Sequence, residues 1–389
     1  MMNKQAQGAL WGAAVGDALG TTVEFSRPEA ATRVVFPDQL TGPLTDVVGG
    51  GPFNVDVGQV TDDTQMAVAL HRSILRCGGF NADDVAKSYF QWRRDAFDIG
   101  GQTSGALSNV QYCVPGAAYA AGYRSWDAGG RRAAGNGSLM RTSPIGVNFA
   151  HDPDLVIENS VLDSAITHAD PRCMLSCAAY NAVIADNIRE EGKSPIYRLF
   201  TVAEQAAREA RFFIEDHTVM KHWYTEEELD SAMRDILVDL DLAFWPDPDL
   251  GSLIHNSAGF VRTAFRYAFW CLAHAVDYRS ALIGVVNMGG DSDTNGAIVG
   301  GLLGSYFGYD DIPTEWVAKC RTACEPGSTH RRAGGVWWND FHPRYFDYET
   351  ADEPRVVESA PKADTLAQIA AEYEKIEHQQ LTDTSTEGD

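Results

Sequence analysis

Basic side chains are scarce in this sequence of 389 residues: 31 Lys and Arg stand against 54 Asp and Glu, so the net charge is −23. An acidic excess of this size repels phosphate backbones and anionic membrane surfaces at long range. We therefore expect no binding to nucleic acid and no attachment to a membrane. A phosphorylated ligand would have to be held by backbone amides or by metal ions.

Long hydrophobic runs and recognisable cysteine pairs are also lacking. The longest nearly uncharged apolar stretch, 296–309, is too short to cross a bilayer. The seven cysteines form no CxxC motif. Cys173 and Cys177, like Cys320 and Cys324, are four residues apart, which puts each pair on one face of a helix. Reduced thiols in the core of a cytoplasmic protein are the state we expect.

Alternating β-rich segments are few, with modest candidates only at 33–36 and 55–60. Apolar residues make up 44% of the chain and charged residues 22%, which supports a large core and excludes global disorder. Helical patterns dominate, and no repeat or Pro/Ser-rich linker divides them. The sequence therefore predicts one all-α domain. The clearest predicted helices are 61–77, 171–189, 225–244, 260–276 and 293–306.

Two stretches differ in composition from this helical body. Residues 189–249 are more charged than their surroundings, which predicts a helical insertion or subdomain. Beyond residue 348 the chain is polar and acidic, and 361–379 has the pattern of an amphipathic helix. We expect the last residues, which read LTDTSTEGD, to be disordered.

The motif Thr61-Asp62-Asp63-Thr64 puts oxygen-bearing side chains in series where a helix is predicted to begin. Hard cations such as Mg²⁺ prefer oxygen ligands of this kind. The same pattern is also typical of an ordinary helix start, in which Thr caps the first turn and the acids complement the helix dipole. On this segment alone both interpretations stay open.

A second acidic segment, 289–296, reads GGDSDTNG and leads into an apolar helix. Its start fits an EF-hand loop, but the twelfth position counted from Asp291 is Leu302 rather than Glu, so that interpretation is rejected. Carboxylates beside so apolar a helix are costly unless they are paired or metal-bound, which predicts a metal site. The helix also carries glycines that would permit close helix packing: Gly296, Gly300 and Gly304.

Together, the two acidic helix starts indicate a binuclear site, because each supplies two Asp and a Thr. Two hard cations close together could clamp vicinal hydroxyls or activate water. No His/Cys cluster with metal-ligand spacing is present in the sequence, which argues against zinc.

A glycine-rich segment, 135–141, reads GNGSLMR, and its amides could approach a phosphate closely. A plain turn is the alternative interpretation. His168 stands just before a predicted helix, where it could contact a ligand or belong to a capping loop. No motif of the type G-x-S-x-G and no His–Cys pairing indicates a covalent nucleophile.

Taken together, these motifs make the chain resemble the ADP-ribosylglycohydrolase family. They follow in the family's order over about residues 8–325, which we take as the domain, with 326–389 as an acidic C-terminal extension. The matching segments are Gly12-x3-Gly16-Asp17-Ala18-Leu19-Gly20 with Glu24-Phe25, TDDT at 61–64, Asp98-Ile99-Gly100 with Thr103, GNGSLMR at 135–141, THADPR at 167–172, SAGFV at 257–261 and GGDSDTNGAIVGGLLG at 289–304.

The resemblance implies a compact all-α domain of orthogonally packed helices with two Mg²⁺ or Mn²⁺ ions at the base of a cleft. Asp293 matches the position that bridges both ions. Glu24 matches an acid near the metals that contacts the substrate ribose or a metal-bound water. The residues that match the family's metal ligands are Thr61, Asp62, Asp63, Asp291, Asp293 and Thr294.

The resemblance also implies how the rest of the substrate is held. His168 lies where the family contacts ADP-ribose, and Phe260 matches an aromatic residue that stacks on adenine, commonly Tyr. Asp98 and Gly100 match a loop whose aspartate faces the leaving side chain, although the match departs at the next two residues. The matching phosphate-binding segment contributes Gly135, Asn136, Gly137, Ser138 and Met140.

The implied activity is hydrolysis that releases ADP-ribose from a modified arginine of a protein, with Asp98, Glu24, Asp62 and Asp293 at the reacting centre. Release from serine or from a small acceptor is the alternative within the same chemistry. A catalytically silent ADP-ribose-binding member is the alternative from another class, and the intact metal ligands argue against it. We expect a monomer in the cytoplasm, and immunity against an ADP-ribosylating toxin is one biological role that would fit.

Overall fold

Helices make up most of the computed structural model, which describes residues 3–27, 34–35, 41–94, 96–245, 258–323 and 341–347. The predicted all-α class is confirmed. The helices of the described residues are α1 (Lys4–Gly20), α2 (Asp62–Cys77), α3 (Ala82–Trp92), α4 (Gly101–Leu107), α5 (Ala120–Ala128), α6 (Ser143–Asn148), α7 (Pro153–Thr167), α8 (Pro171–Arg189), α9 (Ile196–Asp216), α10 (Glu226–Ala243), α11 (Val261–His274), α12 (Tyr278–Val286), α13 (Ser292–Phe307) and α14 (Thr314–Thr322).

The five helices predicted from sequence are all present, as α2, α8, α10, α11 and α13. Their ends follow the expected local chemistry. α8 begins at Pro171, and α10 begins with a capping box in which Thr225 and Glu228 satisfy each other's backbone amides. α2 ends at Gly78, whose φ of 67° is the left-handed conformation that favours glycine.

Of the two predicted strands, one is present in shortened form and the other is wrong. β1 (Val34–Val35) pairs antiparallel with β2 (Thr41–Gly42). The segment 55–60 forms no strand; Val55 makes only an isolated bridge with Gly50. Gly58, in the middle of this segment, has a φ of 80°, so the backbone turns there and does not continue as a strand.

The centre of the fold is the close antiparallel packing of α1 against α13. A Cβ atom at Gly12 would lie 2.2 Å from the carbonyl oxygen of Gly300, and one at Gly16 would lie 1.9 Å from that of Gly296. Only glycine allows two helix backbones to approach this closely. The predicted close packing of the α13 glycines is therefore confirmed, and it brings the C-terminal end of α1 beside the N-terminal start of α13.

The remaining helices surround this pair. α8 packs between α7 and α9, and α11 packs against both α13 and α10. The described part of the predicted insertion, 189–245, forms α9 and α10, which contact α8 and α11 through buried apolar side chains. On α10, the buried carboxylate of Asp239 accepts hydrogen bonds from Arg262 and Arg266 of α11.

Of the predicted extension 326–389, the structure describes only 341–347, so the predicted helix at 361–379 and the predicted disordered end lie outside the described residues. The described piece contains a 3₁₀ turn, Pro343–Asp347, where Asp347 accepts a hydrogen bond from the Trp11 indole at 2.9 Å. In the described ranges no helix combines the length and apolar character that a bilayer crossing needs. The six described cysteines are all free thiols.

Candidate active site

The N-terminal ends of α2 and α13 meet beneath a cleft, and neither helix is capped by the side chain of its N-cap residue. Thr61 and Asp291 occupy the two N-cap positions. The Thr61 hydroxyl instead lies 3.0 Å from an Asp17 oxygen and 3.0 Å from an Asp63 oxygen. The interpretation of Thr61 as an ordinary cap is therefore wrong. The partial positive charge of both helix starts faces the acidic side chains.

The buried Asp17 carboxylate of α1 holds the first turn of α2 in place through hydrogen bonds. It accepts hydrogen bonds from the backbone amides of Thr61 and Thr64, at 3.1 and 3.2 Å. It also accepts a hydrogen bond from the Thr64 hydroxyl at 2.6 Å. Asp17 is completely buried. It therefore sets the direction in which the first turn of α2 presents Asp62 and Asp63.

Two groups of three carboxylates follow from this arrangement. In each group, oxygen atoms of the three residues lie within 4.8 Å of one another. The first group is Asp17, Asp63 and Asp293, and the second is Glu24, Asp291 and Asp293. Asp293 thus belongs to both, and Asn136 donates a 2.6 Å hydrogen bond to Asp291 at the edge of the second.

Burial makes these carboxyl groups harder to ionise than usual. It raises the pKa of Asp17 to about 6, that of Asp98 to about 7 and that of Glu24 to about 9. For Glu24 and Asp98, the negative charge of neighbouring carboxylates contributes to these raised pKa values after burial. Burial also raises the pKa values of Asp62, Asp63 and Asp293. A divalent cation would stabilise the ionised form of these carboxyl groups against burial and mutual repulsion.

Above the carboxylates is a cleft of about 280 Å³ whose two ends differ chemically. At the end that we call the acidic end, the lining side chains are Glu24, Asp62, Asp98, Asp291 and Asp293. A second set of lining residues, which we call the loop end, consists of Gly135, Asn136, Gly137 and His168, and the Asn136 side chain joins it to Asp291 of the acidic end.

Backbone hydrogen bonds hold the loop end in place. Gly135 and Phe260 form an antiparallel bridge, and the Asn136 amide donates to the Gly259 carbonyl at 3.0 Å. The Gly135 amide donates to the side chain of Gln102, also at 3.0 Å. Glycine is required here because a Cβ at Gly137 would lie 2.9 Å from the His168 ring. The imidazole therefore packs directly on the loop backbone.

Most of the predicted site residues come together in this cleft. Thr61, Asp63 and Ser138 lie beneath the surface, and the Ser138 hydroxyl accepts a hydrogen bond from Ser164 within the core. Phe260 is not among the lining residues; its half-buried ring packs beneath the Arg172 guanidinium at 5.4 Å. The predicted residues that line the cleft are Glu24, Asp62, Asp98, Gly100, Gly135, Asn136, Gly137, Met140, His168, Asp291, Asp293 and Thr294.

Sequence reasoning did not assign several residues that the structure places at the site. Asp17 supports the acidic end, and Gln102 holds the loop end. Phe25 lines the cleft with 67% of its surface exposed and a φ of 58°, a rare conformation outside glycine. The sequence signal was the adjacency of Phe25 to Glu24 and of Asp17 to the glycines of α1.

Comparison with known proteins is consistent with this geometry. The family model described as ADP-ribosylglycohydrolase matches residues 2–337. The ADP-ribosyl-[dinitrogen reductase] glycohydrolase of Rhodospirillum rubrum is 30% identical, over 82% of this chain and 90% of its own. The ADP-ribosylarginine hydrolase Tri1 of Serratia proteamaculans is 27% identical, over 81% of this chain and 75% of its own.

Two further comparisons point to the same family. Human ADP-ribosylhydrolase ARH3 is 26% identical, over 81% of this chain and 88% of its own. A solved structure titled ADP-ribosylglycohydrolase-related protein complex superposes with a TM-score of 0.57 at 27% identity, over 81% of this chain and 92% of that one. With the family's motifs gathered around one cleft and its model matched over most of the chain, this protein belongs to the ADP-ribosylglycohydrolase family.

Proposed function

We propose that this protein hydrolyses the N-glycosidic bond between ADP-ribose and a modified arginine side chain, in a reaction that depends on two Mg²⁺ or Mn²⁺ ions. The observation that carries the proposal is the double membership of Asp293 in two carboxylate groups. One carboxylate shared between two groups of oxygen donors is suited to contact two hard cations at once.

The chemistry of the donor set fits such cations. Asp63 Oδ1 and Glu24 Oε2 are buried and have no hydrogen-bond partner among the described residues. Buried carboxylate oxygens without partners are costly, and metal coordination would offset that cost. The residues that we propose to hold the ions are Thr61, Asp62, Asp63, Asp291, Asp293 and Thr294. When bound, the ions would supply Lewis acidity and orient the ribose hydroxyls.

The loop end supplies a binding site for the pyrophosphate. The Gly135 and Asn136 amides already donate to Gln102 and to the Gly259 carbonyl, so the donors that we assign to the pyrophosphate are the Gly137 amide and the His168 imidazole. No lysine or arginine is among the described residues of the cleft. Amide groups can hold an anionic oxygen without a basic side chain. ADP-ribose would thus lie with its pyrophosphate at the loop end and its reacting ribose at the acidic end.

Asp98 favours arginine as the acceptor. Its carboxyl group lines the acidic end, where burial raises its pKa to about 7. A cationic guanidinium beside it would restore the ionised form, and the planar fork can donate paired hydrogen bonds to one carboxylate. Serine offers no such positive charge. Two relatives support arginine as the acceptor: the name of one specifies arginine, and the name of the other specifies dinitrogen reductase.

The deciding experiment incubates the purified full chain with proteins ADP-ribosylated on arginine or on serine and measures released ADP-ribose. We expect release in the presence of Mg²⁺ or Mn²⁺, faster from arginine, and none after chelation. Undiminished hydrolysis by verified metal-free protein would overturn the metal dependence. Faster release from serine or from a small acceptor would overturn the substrate assignment, and binding without hydrolysis would indicate a silent member.

A further inference from the structure

A fully buried ion pair stands behind the loop end of the cleft. Arg141 and Asp163 have no solvent exposure, and Arg141 Nε donates to Asp163 Oδ2 at 3.2 Å. Tyr89 donates to the other Asp163 oxygen at 2.8 Å. Charges this deeply buried are stable only when their hydrogen bonds are satisfied, so the orientation of the guanidinium is set.

From this position Arg141 reaches two groups of the loop end. Its Nη1 donates to the Gly137 carbonyl at 3.2 Å and to the Thr167 hydroxyl at 2.8 Å. The Thr167 oxygen in turn lies 2.8 Å from His168 Nδ1. The buried guanidinium is therefore linked to the imidazole through a single hydroxyl group.

A proton count along this chain of hydrogen bonds favours one tautomer of His168. Arginine is a donor only, so the Thr167 oxygen accepts from Arg141 and its own proton remains to be donated. Among the described residues, His168 Nδ1 is the acceptor within reach of that proton. Burial and the nearby Arg141 charge lower the pKa of His168 well below its ordinary value, so the ring is neutral. Nδ1 is then unprotonated, and the single ring proton lies on Nε2.

We propose that Thr167 is a positioning residue that holds His168 as its Nε2–H tautomer, so that the loop end presents an N–H donor to the ligand. Nε2 has no hydrogen-bond partner among the described residues, and the ring lines the cleft against Gly135 and Gly137. The opposite tautomer would turn an acceptor lone pair toward the ligand. An acceptor would repel a phosphate oxygen, whereas a donor completes the set of amides around it.

The identity of the ligand rests on the proposed function, but the tautomer does not. We would therefore record ¹⁵N NMR shifts of the histidine ring nitrogens in the full chain without ligand, with His168→Gln for assignment. We expect His168 Nε2 to be protonated and Nδ1 unprotonated. A wild-type protein in which Nδ1 carries the proton would overturn the proposal.

The variant Thr167→Val removes the hydroxyl while keeping the shape of the side chain. We expect it to lose the single-tautomer signature and to bind ADP-ribose about fivefold more weakly, as for the loss of one hydrogen bond. Thr167→Ser should restore both readouts to within about twofold of the wild type. Thr201→Val, on the exposed surface of α9, is the matched control and should change neither.

An unchanged tautomer in Thr167→Val would overturn the role of Thr167. If Thr167→Val fails to fold by circular dichroism, Thr167→Ala replaces it, and the wild-type measurement still decides the tautomer. If ADP-ribose does not bind the wild-type protein, the proposed function fails, while the nitrogen shifts continue to test the proton assignment.

Discussion

The two ends of the cleft differ in charge: one is crowded with carboxyl groups, and the other carries uncharged groups. The acidic end concentrates five carboxyl groups around a small volume, whereas the loop end offers the Gly137 backbone and a neutral imidazole. Under the proposed function, bound cations would neutralise the carboxylates of the acidic end, while the loop end would bind phosphate through uncharged hydrogen-bond donors. A protein with a net charge of −23 can thus hold a dianionic ligand without a basic groove.

The two ends also differ in how they are built. The acidic end joins α1 and α2 to α13, whose residues lie more than 200 positions further along the chain, through the glycine packing of α1 on α13. The loop end depends on short backbone bridges and on the buried Arg141–Asp163 pair. Substitutions at the acidic end should abolish hydrolysis, whereas substitutions at the loop end should mainly weaken the binding of ADP-ribose.

The largest effect is expected for Asp293→Ala at the acidic end. Because its carboxylate belongs to both three-carboxylate groups, its loss should lower the hydrolysis rate at least about a thousandfold, as several kcal/mol of transition-state stabilisation are removed. The measurement is release of ADP-ribose at saturating Mg²⁺. Thr61→Ala, which removes a neutral oxygen, should be milder. Equal loss in the two variants would contradict the shared role of Asp293.

Asp98→Ala should lower the rate on arginine conjugates by at least about tenfold, the scale of a lost charge-assisted contact or acid–base group. The same variant should change the rate on serine conjugates much less, because that linkage offers no cation. Asp216→Ala, at the exposed end of α9, removes the same charge at a distance and serves as the control. Full arginine activity in Asp98→Ala would refute the assignment of this side chain to substrate choice.

Phe260→Ala should weaken ADP-ribose binding by about 1–3 kcal/mol, the range for an aromatic ring on a base, while the chemical step suffers less. Equilibrium binding by calorimetry measures the first effect and single-turnover kinetics the second. A dissociation constant equal to that of the wild type would show that the ring serves only as packing beneath Arg172.

The smallest effect concerns the stability of the metal-free protein between pH 7 and pH 9. Burial raises the pKa of Glu24 to about 9, so the folded state keeps a proton that the unfolded state has released above pH 4.5. Stability therefore falls as pH rises through this window, by about 1.4 kcal/mol per pH unit for one such group. The buried histidines do not interfere, because their folded pKa values lie below 6.5.

Thermal unfolding would record this as a decrease in Tm of roughly 2–5 °C from pH 7 to pH 9. The slope should be shallower in Glu24→Gln, which has no proton to lose. Added Mg²⁺ should raise Tm more at pH 9 than at pH 7, because cation and proton compete for the same carboxylates. A Tm that rises with pH in metal-free protein would be inconsistent with the buried acidic end.

Much of this organisation could be predicted from the sequence. Local signals such as Pro171 and the Thr225–Glu228 capping box set the ends of helices, and the two acidic motifs indicated a site between α2 and α13. The prediction of a strand at 55–60 was wrong because Gly58, within the alternating segment, has a φ of 80° and turns the backbone. The alternation of apolar and polar residues does not by itself reveal where the backbone turns.

The sequence by itself determined the all-α class, the residue types of the acidic end and the family, because helix periodicity and motif spacing are local properties of the chain. Only the tertiary structure decided that Thr61 contacts Asp17 instead of capping its helix, that Asp293 joins two carboxylate groups, and that Phe25 lines the cleft. The reason is that these relations depend on the distance between helices, which the close approach of α1 and α13 backbones sets in space rather than along the chain.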